Sequence, residues 1–316
     1  MMNLTVGIAE AYQSRVPLLA IVGQPPRMLE GRGAFQDSSG LGRTVDAEAL
    51  FRTIAKEVRV VRSGVTLWED LEAAVRAAME NPSGPGVLLI PRDVFTQEAP
   101  PRPPQWPTRL DELFEQNLAL PHEIAAIEAK LHAARNPVLL LGDGVRRSGA
   151  TDSVVDFARC AQIPVATTMA DVTAYPNDDA LFLGTVGVAG HPSVHRYVNE
   201  EADLIMVLGC QLEVMVRAPI TKGLDRAELI VIDEEVSLVK RSIAKVNAFA
   251  RDIGTTVARL GAMTPERIFG HGQPEAYQQE CFLPQLAEAV DADPSEVLQG
   301  EQGLLQSEAV MRLGQS

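Results

Sequence analysis

Cysteine is scarce. The three in this chain, Cys160, Cys210 and Cys281, lie far apart and form no Cys-x-x-Cys pair. That spacing excludes the common zinc frameworks, and an odd, sparse count fits a reducing compartment better than a disulfide scaffold. Each is read as a small buried hydrophobe. Aromatic residues are only 5% of the chain, so Ala, Val, Leu and Ile must fill the interior. No apolar run approaches the ~20 residues of a membrane-crossing helix. The opening MMNLTVGIAEAYQSR has no basic stretch ahead of its apolar part, so it is not read as a secretory leader. Positive charge is in deficit: 28 Lys and Arg face 42 Asp and Glu, a formal net charge of −14. A field of that sign repels phosphate backbones and anionic lipid, which argues against nucleic-acid and membrane-surface partners. The expectation is a cytoplasmic protein.

Several catalytic signatures are also missing. There is no Gly-x-Ser-x-Gly elbow. His191 and His195 stand four apart, a spacing able to chelate on a helix, but Pro192 lies between them and no His-Glu-x-x-His context exists. No metal site is assigned. His122, His132 and His271 are isolated and expected to face solvent.

What is present is apolar periodicity: 46% of the 316 residues are hydrophobic, enough for about two domains. Leu4, Ile8 and Ala11 share a helical face, and the run from Val16 to Val22 reads as a buried strand. A helix over 47–55, a short strand over 58–61, an amphipathic helix over 67–79 and the strand VLLIPRDV follow. Helices between apolar strands indicate a parallel sheet. Five prolines between Pro100 and Pro107 then predict a stiff, extended linker. A second alternating unit follows, with helices over 124–134, 153–161 and 193–200. Its strands lie in PVLLLGDG, IPVATTM, ADLIMVLGC and AELIVID, the last obvious one. The fold class is therefore α/β: two parallel-sheet domains, the second doubly wound and Rossmann-like, with a helical C-terminal tail. The boundaries are 1–98, a linker over 99–119, 120–260 and a tail over 261–316.

Two glycine-rich turns end strands in the second domain. Gly142 and Gly144 lie in LGDGVRRSGA, and Gly184, Gly187 and Gly190 in LFLGTVGVAGHPSVH. Such turns let backbone amides approach an anionic ligand, and tight strand–turn packing explains them equally well. Asp233 closes a strand where an acid often accepts hydrogen bonds from a ribose; a solvated loop is the alternative.

The most specific pattern is IVGQPP followed by GRGAFQDSSG. It resembles the acetolactate-synthase-like branch of the thiamine-diphosphate-dependent enzymes. There a strand ends in Gly-Gln, and a loop carrying Ala-Phe-Gln lines the cofactor's reactive carbon. The resemblance implies that Gly23 and Gln24 bind cofactor and that Phe35 and Gln36 take part in catalysis. Asn3 is similar to an Asn opening a helix after the family's Gly-Pro-Gly turn, Lys56 to a family lysine, and GPGVLLIPRDV to the closing strand of the pyrimidine-binding domain. Residues 121 to about 235 resemble the central domain.

Measured against that family plan, residues 1–98 are expected to be part of a pyrimidine-binding domain. The activating glutamate and the domain holding magnesium and diphosphate are then expected on a complementary chain, or come from within a homo-oligomer. Gly142-Asp143-Gly144 spells the start of the family's metal motif, but TTMADVT downstream lacks its Asn, so Asp143 is read as a turn residue. Central domains of some relatives bind flavin adenine dinucleotide. The candidate matches are Gly142, Gly144, Thr167, Thr168, Gly184, Gly187 and Asp233. The family's Gly-Met-His-Gly is Gly187-Val188-Ala189-Gly190 here, and its Gly-Ala-Arg is Gly209-Cys210-Gln211, which removes a guanidinium.

The implied function is thiamine-diphosphate-dependent carboligation or decarboxylation of small 2-oxo acids, active with a complementary chain. Acetolactate formation, another carboligation and simple decarboxylation share these residues. A noncatalytic nucleotide-binding or scaffold subunit and a truncated product remain as alternatives.

Overall fold

The computed structural model describes residues 2–113 and 117–263. The chain divides into two compact units, Met1–Gln116 and Asn117–Ser316. The helical tail expected over 261–316 falls almost wholly outside the described residues, as do Cys281 and His271. Among the described residues no helix is long and apolar enough to cross a membrane.

In the first unit, α1 (Leu4–Gln13), β1 (Leu18–Gln24), α2 (Ala47–Arg52), β2 (Glu57–Val60), α3 (Leu67–Met79) and β3 (Pro85–Pro91) follow in order. The three strands form a parallel sheet in the order β1-β3-β2. Central β3 is buried at all seven positions. It pairs with β1 from Leu18↔Pro85 to Gln24↔Pro91, so the two C-terminal strand ends lie side by side. Helix α2 starts where the Asp46 carboxylate accepts the Ala49 amide at 2.9 Å, a side-chain N-cap. Helix α3 buries Ala74, Val75, Ala78 and Met79 at helical spacing and keeps Glu69 and Asp70 in its first turn. Beyond its C-terminal end, the Lys56 ammonium donates to the Glu80 carbonyl at 2.6 Å, and burial pushes its pKa down.

Two sequence expectations change here. Strand β1 is an edge strand among the described residues, so Leu19 and Ile21 point outward, 37% and 57% exposed, while Ala20 and Val22 point into the core. An unbroken apolar run cannot tell an edge strand from a central one. Ile8 and Ala11 are buried on α1, but Leu4 stays exposed beside a surface recess. The proline-rich stretch after β3 is fastened to α3: Trp68 Nε1 donates to the Pro100 carbonyl at 2.8 Å, and Trp106 packs on Trp68 at 5.3 Å between ring centres.

The second unit carries fourteen of the chain's labelled elements. α4 (Pro121–Ala133), β4 (Pro137–Leu141), α5 (Asp143–Arg147), α6 (Thr151–Ala161), β5 (Val165–Thr168), β6 (Phe182–Val186) and α7 (Pro192–Arg196) form its first half. β7 (Leu204–Leu208), α8 (Val214–Arg217), α9 (Thr221–Arg226), β8 (Glu228–Asp233), α10 (Ser237–Ser242), β9 (Asn247–Ala250) and α11 (Ile253–Met263) form its second. All six strands are parallel, in the order β6-β5-β4-β7-β8-β9. That is the doubly wound order 3-2-1-4-5-6, whose reversal lies between β4 and β7. Alternate residues of each strand serve opposite cores. Leu139, Leu141, Met206 and Ile230 meet α4, α6 and α11, whereas Val138, Leu140, Ile205 and Val231 meet the helices of the other face. Strand β9 lies beyond the last strand expected from the sequence; all four of its residues are only half-buried, so it carries no apolar signal. Cys210 is buried, and burial pushes its thiol pKa up. Cys160 is exposed on α6, contrary to the reading of every cysteine as buried: it falls on the polar side of an amphipathic helix.

One charged clamp closes this unit. Glu123 accepts Arg251 Nε and Nη2 at 2.8 and 2.9 Å and the Leu120 amide at 2.7 Å, tying the start of α4 to the end of β9. Hydrogen bonds from Arg251 hold the Glu123 carboxyl below its ordinary pKa. A depressed carboxylate stabilises the fold above the unfolded pKa, and this contribution fades as pH falls through the folded value. Glu123→Gln is expected to cost about 1.5–3 kcal/mol at neutral pH. The gap from wild type should shrink as pH drops below about 4. Urea midpoints of both proteins at pH 7 and in acid check this; an equal gap at both would refute it.

Candidate functional site

The paired ends of β1 and β3 open into a cavity of about 550 Å³. Gly23, Gln24, Pro25, Pro26 and Leu29 line it from the β1 side, Ala34, Phe35 and Gln36 from the following loop, and Arg92 and Phe95 from the end of β3. The floor is fixed by backbone pairing: the Arg92 amide donates to the Gln24 carbonyl at 3.0 Å.

The loop is built from local bonds. Asp37 accepts the Gly31 amide at 2.7 Å and the Ser39 amide at 3.0 Å, folding residues 31–39 back on themselves. Arg27 ties the loop's start to the β3 end: its amide and Nε reach Asp93 at 3.0 and 2.8 Å, and Nη1 reaches the Arg62 carbonyl at 2.6 Å. Those bonds, the amide first, hold the Asp93 carboxyl below its ordinary range. Ser38 Oγ donates to Gln24 Oε1 at 2.6 Å, so Gln24 is oriented with Nε2 left over. That Nε2 is buried and has no partner among the described residues. Phe35 is 89% exposed, and Gln36 has φ +54°, a left-handed conformation that non-glycine residues seldom hold. A large aromatic thus stands out of the core beside a strained polar residue at the cavity wall.

The structure thus brings together Gly23, Gln24, Phe35 and Gln36. Asn3 is not with them; it lines a separate recess of about 330 Å³ between α1 and the outer face of β1. Arg92 and Phe95 were missed by sequence reasoning. The available signal was positional, since both follow directly on the strand that pairs with the one ending in Gln24.

The second unit's candidates behave differently. A Cβ built on Gly142 would lie 2.3 Å from the Gly209 carbonyl oxygen and 2.7 Å from Cys210 Cβ, and one on Gly144 would lie 2.6 Å from Gly209 Cα. The β4 and β7 loops thus pack backbone to backbone at the strand-order reversal. A Cβ on Gly187 would meet the Met169 side chain at 3.1 Å, and one on Gly184 would meet Val194 at 3.0 Å. Thr167 bonds Thr185 across β5 and β6 at 3.3 Å, and Thr168 is fully buried in β5. Asp233 is fully buried, and its Oδ1 accepts the Glu235 amide at 3.0 Å. Packing of protein atoms alone therefore requires glycine at 142 and 144. Asp143 pairs with Arg147 one turn on. His191 caps α7, and His195 Nε2 accepts the Gly187 amide at 3.4 Å, with burial pushing its pKa down.

Comparison with known proteins finds relatives for most of the chain. Residues 124–260 match the family model described as the thiamine pyrophosphate enzyme central domain. The chain is 29% identical over 243 residues to a probable acetolactate synthase large subunit of Methanocaldococcus jannaschii, covering 76% of this chain and 40% of that protein. It is 27% identical over 266 residues to the acetolactate synthase large subunit of Parasynechococcus marenigrum, covering 84% and 42%. The crystal structure of a putative thiamin diphosphate-dependent enzyme from Mycobacterium smegmatis superposes with a TM-score of 0.68 at 22% identity, over 86% of this chain and 50% of that one. At that identity the likeness concerns the fold. The chain spans about two fifths of the length of the curated relatives it matches.

Proposed function

Because the chain belongs to the thiamine-diphosphate-dependent enzymes, in their acetolactate-synthase-like branch, we propose that it serves in decarboxylation or carboligation of 2-oxo acids by forming one wall of a thiamine-diphosphate site. The observation that carries this reading is the cavity at the β1 and β3 ends, where Gln24, Phe35 and Gln36 face one space. Bound there, the cofactor would supply a carbon nucleophile that adds to the 2-oxo acid and takes up the electron pair left by departing CO2.

The chain's own residues have limited roles. Gln24, with Oε1 committed to Ser38, offers Nε2 as a donor to a polar ring atom. Phe35 shields one side of the reacting centre from water, and Gln36 presents an amide to the substrate. Among the described residues, the cavity lining contains no carboxylate and no imidazole. In this reading a complementary chain supplies the proton-accepting glutamate and the magnesium–diphosphate anchor, and the active species is an assembly.

The test is to isolate the tagged chain from its native host with whatever assembles on it. CO2 release from pyruvate is then followed with thiamine diphosphate and magnesium, beside the isolated chain. The expected result is cofactor-dependent turnover by the assembly and none by the isolated chain. Turnover by the isolated chain would remove the second polypeptide from the scheme. An assembly indifferent to the cofactor on a panel of 2-oxo acids would remove the function.

A further inference from the structure

We infer that Arg92 is the carboxylate-recognition residue of the β1–β3 cavity, selecting an anionic 2-oxo acid over neutral carbonyl compounds; this rests on the function proposed above. Among the described residues, Arg92 is the only ionisable one lining a cavity otherwise walled by Phe35, Phe95, Leu29, prolines and amides. The chain as a whole carries a formal charge of −14, so a cavity with a lone cation stands against the general field.

Two carboxylates adjacent in sequence to lining residues are committed elsewhere. Asp93, next in sequence, is held by the Arg27 guanidinium and amide. Asp37 spans the amides of Gly31 and Ser39. Among the described residues no hydrogen bond or ion pair engages the Arg92 guanidinium. Its backbone is nevertheless fixed, because the Arg92 amide is bound to the Gln24 carbonyl at the strand end. A guanidinium with unused donors, rooted on a fixed backbone, can match a planar carboxylate two bonds at a time. The flanking Phe35 and Phe95 rings suit the short apolar substituent of the same substrate.

The experiment is saturation-transfer NMR with pyruvate and with neutral methyl pyruvate, on the assembly purified with the wild-type, Arg92→Gln or Arg92→Lys chain, each with and without thiamine diphosphate and magnesium. Melting curves check that the variants fold; Arg92 is exposed, so wild-type melting is expected. Pyruvate should bind wild type, bind Arg92→Gln about tenfold more weakly or worse, and bind Arg92→Lys in between. Methyl pyruvate should not distinguish the three. Equal pyruvate binding by wild type and Arg92→Gln overturns the inference, as does no binding to wild type or methyl pyruvate matching pyruvate on wild type. An Arg92-dependent pyruvate response that ignores the cofactor keeps the anion site and defeats the cofactor reading. A cofactor-dependent response unchanged in Arg92→Gln does the reverse.

Discussion

Gly142→Ala is expected to lower the melting temperature of the second unit by roughly 6–12 °C, from about 3 kcal/mol of overpacking. The added Cβ would sit 2.3 Å from the Gly209 carbonyl oxygen and 2.7 Å from Cys210 Cβ. Neither obstacle is the free end of a flexible side chain. Both belong to the turn after β7, which is itself held by the Gly209 amide on the Ile232 carbonyl at 2.9 Å. Relief requires the β4 and β7 loops to part at the middle of the sheet, where Leu141 and Leu208 are fully buried.

Gly254→Ala is the internal control. Its Cβ would meet Ala150 Cβ at 3.5 Å, an ordinary contact, inside a helix that gains from losing a glycine. Calorimetry on both variants should show a fall for the first and none for the second. The outcome also decides what the glycines of this loop are for. If Gly142 served to admit a dinucleotide, alanine would leave the melting curve of the ligand-free protein in place and abolish a flavin-induced rise.

This ambiguity marks how far the sequence could be read. A strand followed by Gly-x-Gly states that something approaches the backbone closely; whether that is a ligand or Gly209, some 65 residues on, is settled only by three-dimensional packing. Strands β4, β7 and β8 were legible because burial on both faces of a parallel sheet demands continuous apolar runs such as Val138–Leu141 and Leu204–Leu208. Strand β9 was not, since Asn247–Ala250 covers an edge and needs no such run. The exposure of Leu19 and Ile21 was hidden for the opposite reason, because apolar residues say nothing about whether a neighbouring strand is there. At the cavity, Gly23, Gln24, Phe35 and Gln36 were found through motif spacing within one stretch of chain. Arg92 and Phe95 were not, because the register that pairs Gln24 with Pro91 joins distant segments.

Phe35→Ala should reduce kcat/KM of the active assembly by about 100-fold, the penalty for losing a wall that holds a reactant in line. Its thermal stability should not change. Phe35 is 89% exposed and belongs to no core cluster, so truncating it returns no apolar surface to water. Phe51, fully buried on α2, is the contrast: Phe51→Ala should cost about 3–5 kcal/mol. The pairing of a large kinetic loss with an unmoved melting curve is what a packing residue cannot produce. A drop in melting temperature for Phe35→Ala would mean that the ring is covered in the working protein by something other than cofactor and substrate. Unchanged stability with unchanged kcat/KM would empty the cavity of its assigned role. Because the neighbouring Gln36 keeps its left-handed backbone through the Asp37 turn, which does not involve the Phe35 ring, the kinetic loss would report the missing ring alone.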